Sequence, residues 1–261
     1  MSWLRPLGNT GLQVSAIGLG TVKLGRDQGV KYPSEFCIPS DREARELLAQ
    51  ALDLGINLID TAPAYGNSEQ RLGHLLAGRR KDWLICSKVG EEFDNGVSQF
   101  DFSPEHVQAS VQRSLERLRC EVIDLVLVHS DGNDLDIIQG KGTLEALAAL
   151  KQAGIIRAFG MSTKTVAGGI AAAGASDVVM LTHNLDYRDE LPVLDECARL
   201  GKGALIKKAL ASGHLLEGID DPIQASMALL FEDAAVSAAI IGTITPVHLA
   251  ANVAAARRVT G

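Results

Sequence analysis

Asp60 and Tyr65, an acid and a phenol five residues apart, occupy the stretch Gly55-Ile-Asn-Leu-Ile-Asp60-Thr-Ala-Pro-Ala-Tyr65-Gly-Asn-Ser-Glu69. The short run from Ile56 to Ile59 reads as a buried parallel strand whose polar end emerges at Asp60. Two further apolar runs also end in polar groups: Leu84-Ile85-Cys86-Ser87 leads to Lys88, and Ile123 to Val128 leads to His129. An acid, a phenol, an ammonium and an imidazole at successive strand ends make a proton-transfer set. Tyrosine is a weak acid, with a reference pKa of about 10, and a neighbouring ammonium favours its phenolate. Lys88 supplies that ammonium, Asp60 keeps Lys88 charged, and His129 can hydrogen-bond a substrate oxygen.

Taken singly, each residue has a plainer reading. Tyr65 could pack a turn, His129 could be a satisfied core histidine, and Asp60 could cap a turn. Lys88 could be a solvated charge or the Schiff-base lysine of a barrel aldolase. Their joint placement carries the catalytic reading.

The elements that would position these groups follow from periodicity. Short apolar runs near 15–19, 56–59, 83–87, 123–128, 156–160, 177–181, 203–207 and 237–241 read as strands. Helical patterns fall between them near 41–54, 68–77, 104–118, 143–153, 164–173, 189–200, 222–231 and 246–256. Ser103-Pro104 and Thr245-Pro246 read as cap and first-turn pairs, and Asn67-Ser68 as a cap ahead of Glu69. Eight βα pairs predict an α/β fold closed as a (β/α)8 TIM barrel, with residues 1–261 as a single barrel domain. The Leu4 to Val14 segment, with Gly8-Asn9-Thr10-Gly11 at its centre, reads as an N-terminal β-hairpin that plugs one barrel end. A doubly wound sheet is the competing architecture, but Gly18, Gly20 and Gly25 do not give the GxGxxG spacing and no helical pattern opens directly after them.

Composition narrows the function classes. With 46% hydrophobic residues, a net charge of −7 and no basic cluster, the 261-residue chain reads as a metabolic enzyme, with no nucleic acid partner. No apolar stretch reaches membrane-spanning length and the first residues lack a signal-peptide core, which predicts no membrane partner and a cytoplasmic location. Cys37, Cys86, Cys120 and Cys197 are far apart, the histidines are scattered, and no metal site is expected. The segment 25–39, with Tyr32, Phe36 and Cys37, reads as a long loop walling the substrate, or as an insert; 131–142 reads as a second, mobile and polar wall.

The motifs together resemble the aldo-keto reductases. The resemblance runs through Arg5-Pro-Leu-Gly-x-Thr-Gly-Leu-x-Val-Ser15, Gly18-Leu-Gly-Thr21, the Asp60 to Gly73 block, Gly160-Met-Ser162 and Gly242-x-x-x-Pro246-x-x-Leu249-x-x-Asn252. It implies that Asp60, Tyr65, Lys88 and His129 form the catalytic tetrad, with Tyr65 protonating a carbonyl oxygen. It also implies a nicotinamide cofactor, NADPH with NADH possible, and a small carbonyl or sugar substrate: an aldehyde, a ketone or a sugar, interconverted with its alcohol.

Cofactor contacts carry over residue by residue. Thr21 and Lys23 follow the first barrel strand, and Ser162 matches the serine that binds the carboxamide. Thr163 stands where asparagine is usual, Met180 where glutamine is usual, and Lys207 or Lys208 where the residue flanking the nicotinamide is often aromatic. Thr243 and Asn252 are retained, Gly242 and His248 stand where basic residues commonly grip the 2′-phosphate, and Thr245 would cap the helix beside it. These departures predict weak selection between NADP and NAD. Ser130-Asp131 departs from the pattern after His129, and the chain's stop at Gly261 predicts a shallow, tolerant pocket. Two alternatives remain in view: a cofactor-binding regulatory or scaffold subunit with little turnover, and the lysine-dependent aldolase using Lys88.

Overall fold

The computed structural model describes residues 3–30, 32–33, 35–213 and 219–261. Of the expected loop 25–39, positions 31 and 34 lie outside the described residues, as do the first two residues, which the leader reading included. The chain opens with an antiparallel hairpin, β1 (Leu4–Pro6) and β2 (Gln13–Ser15). Then follow β3 (Ile17–Gly20), α1 (Asp41–Asp53), β4 (Leu58–Asp60), α2 (Ser68–Leu75) and β5 (Leu84–Val89). A second hairpin, β6 (Glu91–Asp94) and β7 (Val97–Phe100), precedes α3 (Pro104–Leu118) and β8 (Ile123–His129). Two helices come next, α4 (Asp134–Gly140) and α5 (Thr143–Gln152), and then β9 (Ile156–Ser162), α6 (Val166–Ala175), β10 (Val178–Thr182) and α7 (Leu191–Leu200). The chain ends through β11 (Gly203–Lys207), α8 (Pro222–Glu232), β12 (Val236–Ile241) and α9 (Pro246–Thr260).

Strands β3, β4, β5, β8, β9, β10, β11 and β12 close into a parallel barrel, β12 pairing with β3 through Ile241 and Leu19. This is the (β/α)8 TIM barrel expected from the alternating pattern. Alternate strand residues serve two cores. Leu58, Cys86, Leu125, Leu127, Ala158, Val178, Met180, Leu205 and Ala238 point into the barrel, where Leu7, Leu12 and Val14 from the N-terminal hairpin join them. The outward set, including Ile59, Ile85, Val126 and Ile206, packs against Leu47, Leu72, Val107 and Leu194 of the helices.

The hairpin sits at the end where the strands begin. The Asn9 amide donates to the Gly201 carbonyl, and Leu7 reaches Gly203 at the start of β11. The plug thus seals the N-terminal face and leaves the C-terminal rim free for chemistry. Asp60, His129, Ser162 and Lys207 each end a barrel strand at that rim, and Lys88 is one residue short of the end of β5.

Helix starts follow their caps in part. Ser40 and Glu43 form a reciprocal capping box on α1, and Ser103 accepts from the His106 amide ahead of Pro104. Two expected caps are corrected. Asn67 has φ −96° and ψ 16°, outside the extended range of a capping residue, and makes no side-chain bond to α2. Thr245 occupies the cap position of α9 without a side-chain bond; instead its own amide donates to Thr243 Oγ1 at 3.1 Å.

The expected mobile wall at 131–142 is also corrected: most of it is α4. Asp134 is buried there and accepts from the Lys164 and Thr165 amides and from the Thr165 and Ser130 hydroxyls. Ile137 packs inward beside it. Acids in the first turn and an inward isoleucine make a helix of a segment whose polarity alone reads as a loop. Among the described residues no helix is long and apolar enough to cross a membrane, and no cluster of metal-ligating side chains forms.

Candidate active site

Asp60, Tyr65, Lys88 and His129 converge on one cavity of about 540 Å³ at the C-terminal rim, within the usual size of a small-molecule site. Lys88 is 2% exposed, and its Nζ donates to Asp60 Oδ1 at 2.6 Å and to the Thr61 carbonyl at 2.9 Å. Burial alone would lower the Lys88 pKa, but Asp60, with Tyr65 and Cys86, holds it above its ordinary value, so the ammonium persists. Its Nζ lies 4.8 Å from the centre of the Tyr65 ring.

Tyr65 is carried by the turn between β4 and α2. Its amide donates to the Ala62 carbonyl at 3.0 Å, and its carbonyl accepts from the Ser68 amide at 3.1 Å. Next to it, Gly66 has φ +61°, and a Cβ there would stand 2.1 Å from the Gly25 carbonyl oxygen. The close approach of the two glycine backbones sets the height of the Tyr65 turn, and no side chain fits between them. Burial raises the Tyr65 pKa above that of an ordinary phenol, while Lys88 pulls it down. The expected net lowering by Lys88 is therefore corrected: in the open cavity desolvation outweighs the ammonium.

His129 meets Tyr65 edge to face, with ring centroids 6.2 Å apart. Its Nδ1 lies 2.7 Å from Glu91 Oε2, an ion-pair approach not aligned as an in-plane hydrogen bond. Burial lowers the imidazole pKa, and Glu91 opposes that shift. Burial acts to raise the Glu91 carboxyl, yet His129, Ser98 and Arg26 together take it down to about 2. The sequence reading missed Glu91. Its signal was the run Glu-Glu-Phe-Asp-Asn95-Gly96-Val-Ser-Gln-Phe, in which Asn95 and Gly96 have φ of 48° and 82°, the two positive values of a tight hairpin turn.

Most of the expected cofactor residues line the same cavity: Thr21, Lys23, Ser162, Met180, Lys207, Lys208, Gly242, Thr243, His248 and Asn252. Thr21 Oγ1 donates to the Asp60 carbonyl at 2.9 Å, tying the end of β3 to that of β4. Lys23 lies over the Tyr32 ring at 3.9 Å and the Phe36 ring at 4.9 Å. Lys207 donates to Ser162 Oγ at 3.0 Å and to the Thr163 carbonyl, and burial takes its pKa down to about 8. Thr163 and Thr245 do not line the cavity. Thr163 is fully buried, its amide donating to the Met180 carbonyl, and Thr245 points to solvent.

Of the loop 25–39, Tyr32 and Pro33 form part of the wall. The segment 131–142 instead borders a separate cleft with Phe100 and Phe102. Sequence reasoning missed Gly20, Ile223, Ile240 and Ser212 as further lining, because small and apolar residues carry no chemical signal on their own.

The cavity suits a dinucleotide. It runs from the tetrad to the start of α9, where Asn252 is 3% exposed and its Oδ1 finds no partner among the described residues. A buried amide oxygen left open at one end is a recognition group awaiting a donor. Cations at Lys23, Lys207 and Lys208 stand along the wall and suit an anionic ligand.

Comparison with known proteins agrees with this geometry. The family model described as the aldo/keto reductase family matches residues 16–229. The crystal structure of PA4992 from Pseudomonas aeruginosa, assigned to the aldo-keto reductases, superposes with a TM-score of 0.91 at 55% identity, covering 99% of this chain and 95% of that one. The holo form of an aldo-keto reductase from Bacillus halodurans gives a TM-score of 0.82 at 25% identity over 98% of this chain and 91% of that one. L-galactose dehydrogenase of Arabidopsis thaliana is 34% identical over 227 residues, 82% of this chain and 67% of the relative. The chain belongs to the aldo/keto reductase family, the oxidoreductases that interconvert carbonyls and alcohols with a nicotinamide cofactor.

Proposed function

We propose that this protein reduces small aldehydes, ketones or sugars with NADPH, accepting NADH less readily, and that Tyr65 is its general acid. The observation that carries the reading is the buried Lys88–Asp60 pair at 2.6 Å with the Tyr65 ring over the ammonium, at one end of a cavity lined as far as His248 and Asn252. Ser162 and Lys207 would hold the nicotinamide end, and Thr243, His248 and Asn252 the adenosine end. When bound, the reduced cofactor supplies a hydride to the carbonyl carbon.

The protein's own groups handle the proton. Negative charge developing on the carbonyl oxygen is stabilised by the fixed Lys88 ammonium, and the Tyr65 hydroxyl delivers its proton to that oxygen. Asp60 keeps Lys88 charged throughout, since little water competes for either group at this depth. The phenolate left behind lies beside the ammonium, which counters part of the burial penalty that opposes ionisation. In the reverse direction the same phenolate accepts the alcohol proton.

An aldolase role for Lys88 is disfavoured, because imine formation needs a neutral amine and Asp60 holds this one charged. Among these substrates a sugar is favoured by the likeness to a protein named for L-galactose. We place the enzyme in the cytoplasm, consistent with four free cysteines. Titration of the purified protein with NADPH and, separately, NADH, followed by cofactor fluorescence, tests the reading. Binding of NADPH with weaker binding of NADH is expected; binding of neither would contradict it.

A further inference from the structure

The tetrad occupies one arc of the rim, on β4, β5, β8 and the turn after β4, and β9, β10 and β11 follow next in the barrel order. A hydride donor must lie within reach of the carbonyl that Tyr65 and Lys88 address. The nicotinamide end of a cofactor therefore belongs between the tetrad and Ser162, Met180 and Lys207, which line the cavity from β9, β10 and β11. Of these three only Lys207 carries a charge. Its Nζ reaches from the end of β11 across β10 to donate to Ser162 Oγ at 3.0 Å and to the Thr163 carbonyl. An ammonium has three protons to donate, and the third meets no acceptor among the described residues. Burial lowers the Lys207 pKa to about 8, while Glu190 and Asp134 act to raise it, so the side chain is charged at neutral pH. Lys208 lines the same cavity but is exposed, where water and salt screen its charge.

The two oxidation states of a nicotinamide dinucleotide differ in charge at one place. The oxidised ring is a cation, the reduced ring is neutral, and the phosphates are the same in both. A fixed ammonium at the ring end opposes the oxidised form and leaves the reduced one untouched. Its attraction for the phosphates acts on both forms and cancels when the two are compared.

We propose that Lys207 determines specificity for the oxidation state of the cofactor: its ammonium, held across the end of β10 by Ser162 and Thr163, makes the site bind the reduced dinucleotide more tightly than the oxidised one. The inference rests on the reading of the cavity as a nicotinamide-cofactor site. A site with this preference holds the fresh reductant and releases the spent form readily, which suits turnover in the direction of carbonyl reduction.

Isothermal titration calorimetry with NADPH and, separately, NADP⁺ at neutral pH tests the inference in wild type, Lys207→Gln and Lys207→Arg. The glutamine keeps a donor for the Ser162 hydroxyl and removes the charge, whereas the arginine keeps the charge. Wild type is expected to bind NADPH more tightly than NADP⁺. The ratio of the NADP⁺ to the NADPH dissociation constant should fall by roughly 10-fold or more in Lys207→Gln, as for unit charges that share a partly buried site, and be largely kept in Lys207→Arg. Equal weakening of both forms in Lys207→Gln, with the ratio unchanged, would overturn the proposal and make Lys207 a grip on the phosphates alone. A ratio that falls as far in Lys207→Arg would overturn the role of the charge. Wild type that binds neither form would instead defeat the reading of the cavity as a cofactor site.

Discussion

Lys88 and Asp60 face each other across neighbouring strands at 2.6 Å, with side chains 2% and 5% exposed. The pair lines the cavity at its base yet is almost wholly buried, so neither charge is well hydrated. Removing Asp60 alone would strand an ammonium in the core. Asp60→Asn is therefore expected to cost about 3 to 5 kcal/mol of stability, as breaking buried pairs does, read from urea unfolding midpoints. The double variant Asp60→Asn, Lys88→Met should recover part of that loss. A single variant as stable as wild type would mean that the pair contributes nothing to the fold.

The turn that presents Tyr65 depends on two glycine backbones in contact. Gly66→Ala would place a Cβ 2.1 Å from the Gly25 carbonyl oxygen at a φ of +61°. The conformational penalty alone is about 1 to 2 kcal/mol, and the clash displaces the turn. A lower melting temperature is expected together with a fall in kcat larger than the change in KM. Unchanged kcat would show that the height of the turn does not matter to turnover.

Lys207 gives the cavity a titratable charge in an accessible pH range. Burial lowers its pKa to about 8, so it is charged below that pH and neutral above it. Affinity for the anionic cofactor should therefore weaken as pH rises through about 8. Lys207→Met should be weaker at neutral pH and show no such step. Titrations of both proteins across that range check the sign; a step of equal size in the variant would assign it to another group.

Asp134 joins α4 to the loop after β9, its carboxylate taking the Lys164 and Thr165 amides at 2.9 and 2.8 Å. Asp134→Ala leaves those donors and the Ser130 hydroxyl without their acceptor. The Ser130 hydroxyl is buried, and a buried donor left unpaired costs about 1 to 3 kcal/mol, so a drop in the unfolding midpoint is expected. A variant as stable as wild type would show that water replaces the carboxylate freely.

The barrel and the tetrad were legible in the sequence for different reasons. The strands are buried on both faces and read as continuous apolar runs, and the polar residues that end them mark the rim without further information. The hairpin 91–100 was passed over because its strands are short and the first of them is acidic, although Asn95-Gly96 announces the turn; with it went Glu91. Thr163 and Thr245 carry polar groups at suggestive positions, yet one is buried away from the cavity, its hydroxyl without a partner among the described residues, and the other faces water. The helix at 134–140 was read as a loop because acids, amides and glycines crowd the segment 131–142, and only packing separates a short helix from a polar connection.

The most direct measurement compares wild type with Tyr65→Phe, which removes one hydroxyl from the cavity. Steady-state NADPH oxidation with a small aldehyde should fall by roughly 100- to 10,000-fold in kcat, the usual contribution of a general acid, while NADPH binding by fluorescence titration is kept. Equal, low rates in the two proteins would contradict the assignment of Tyr65 and favour a cofactor-binding protein with little turnover.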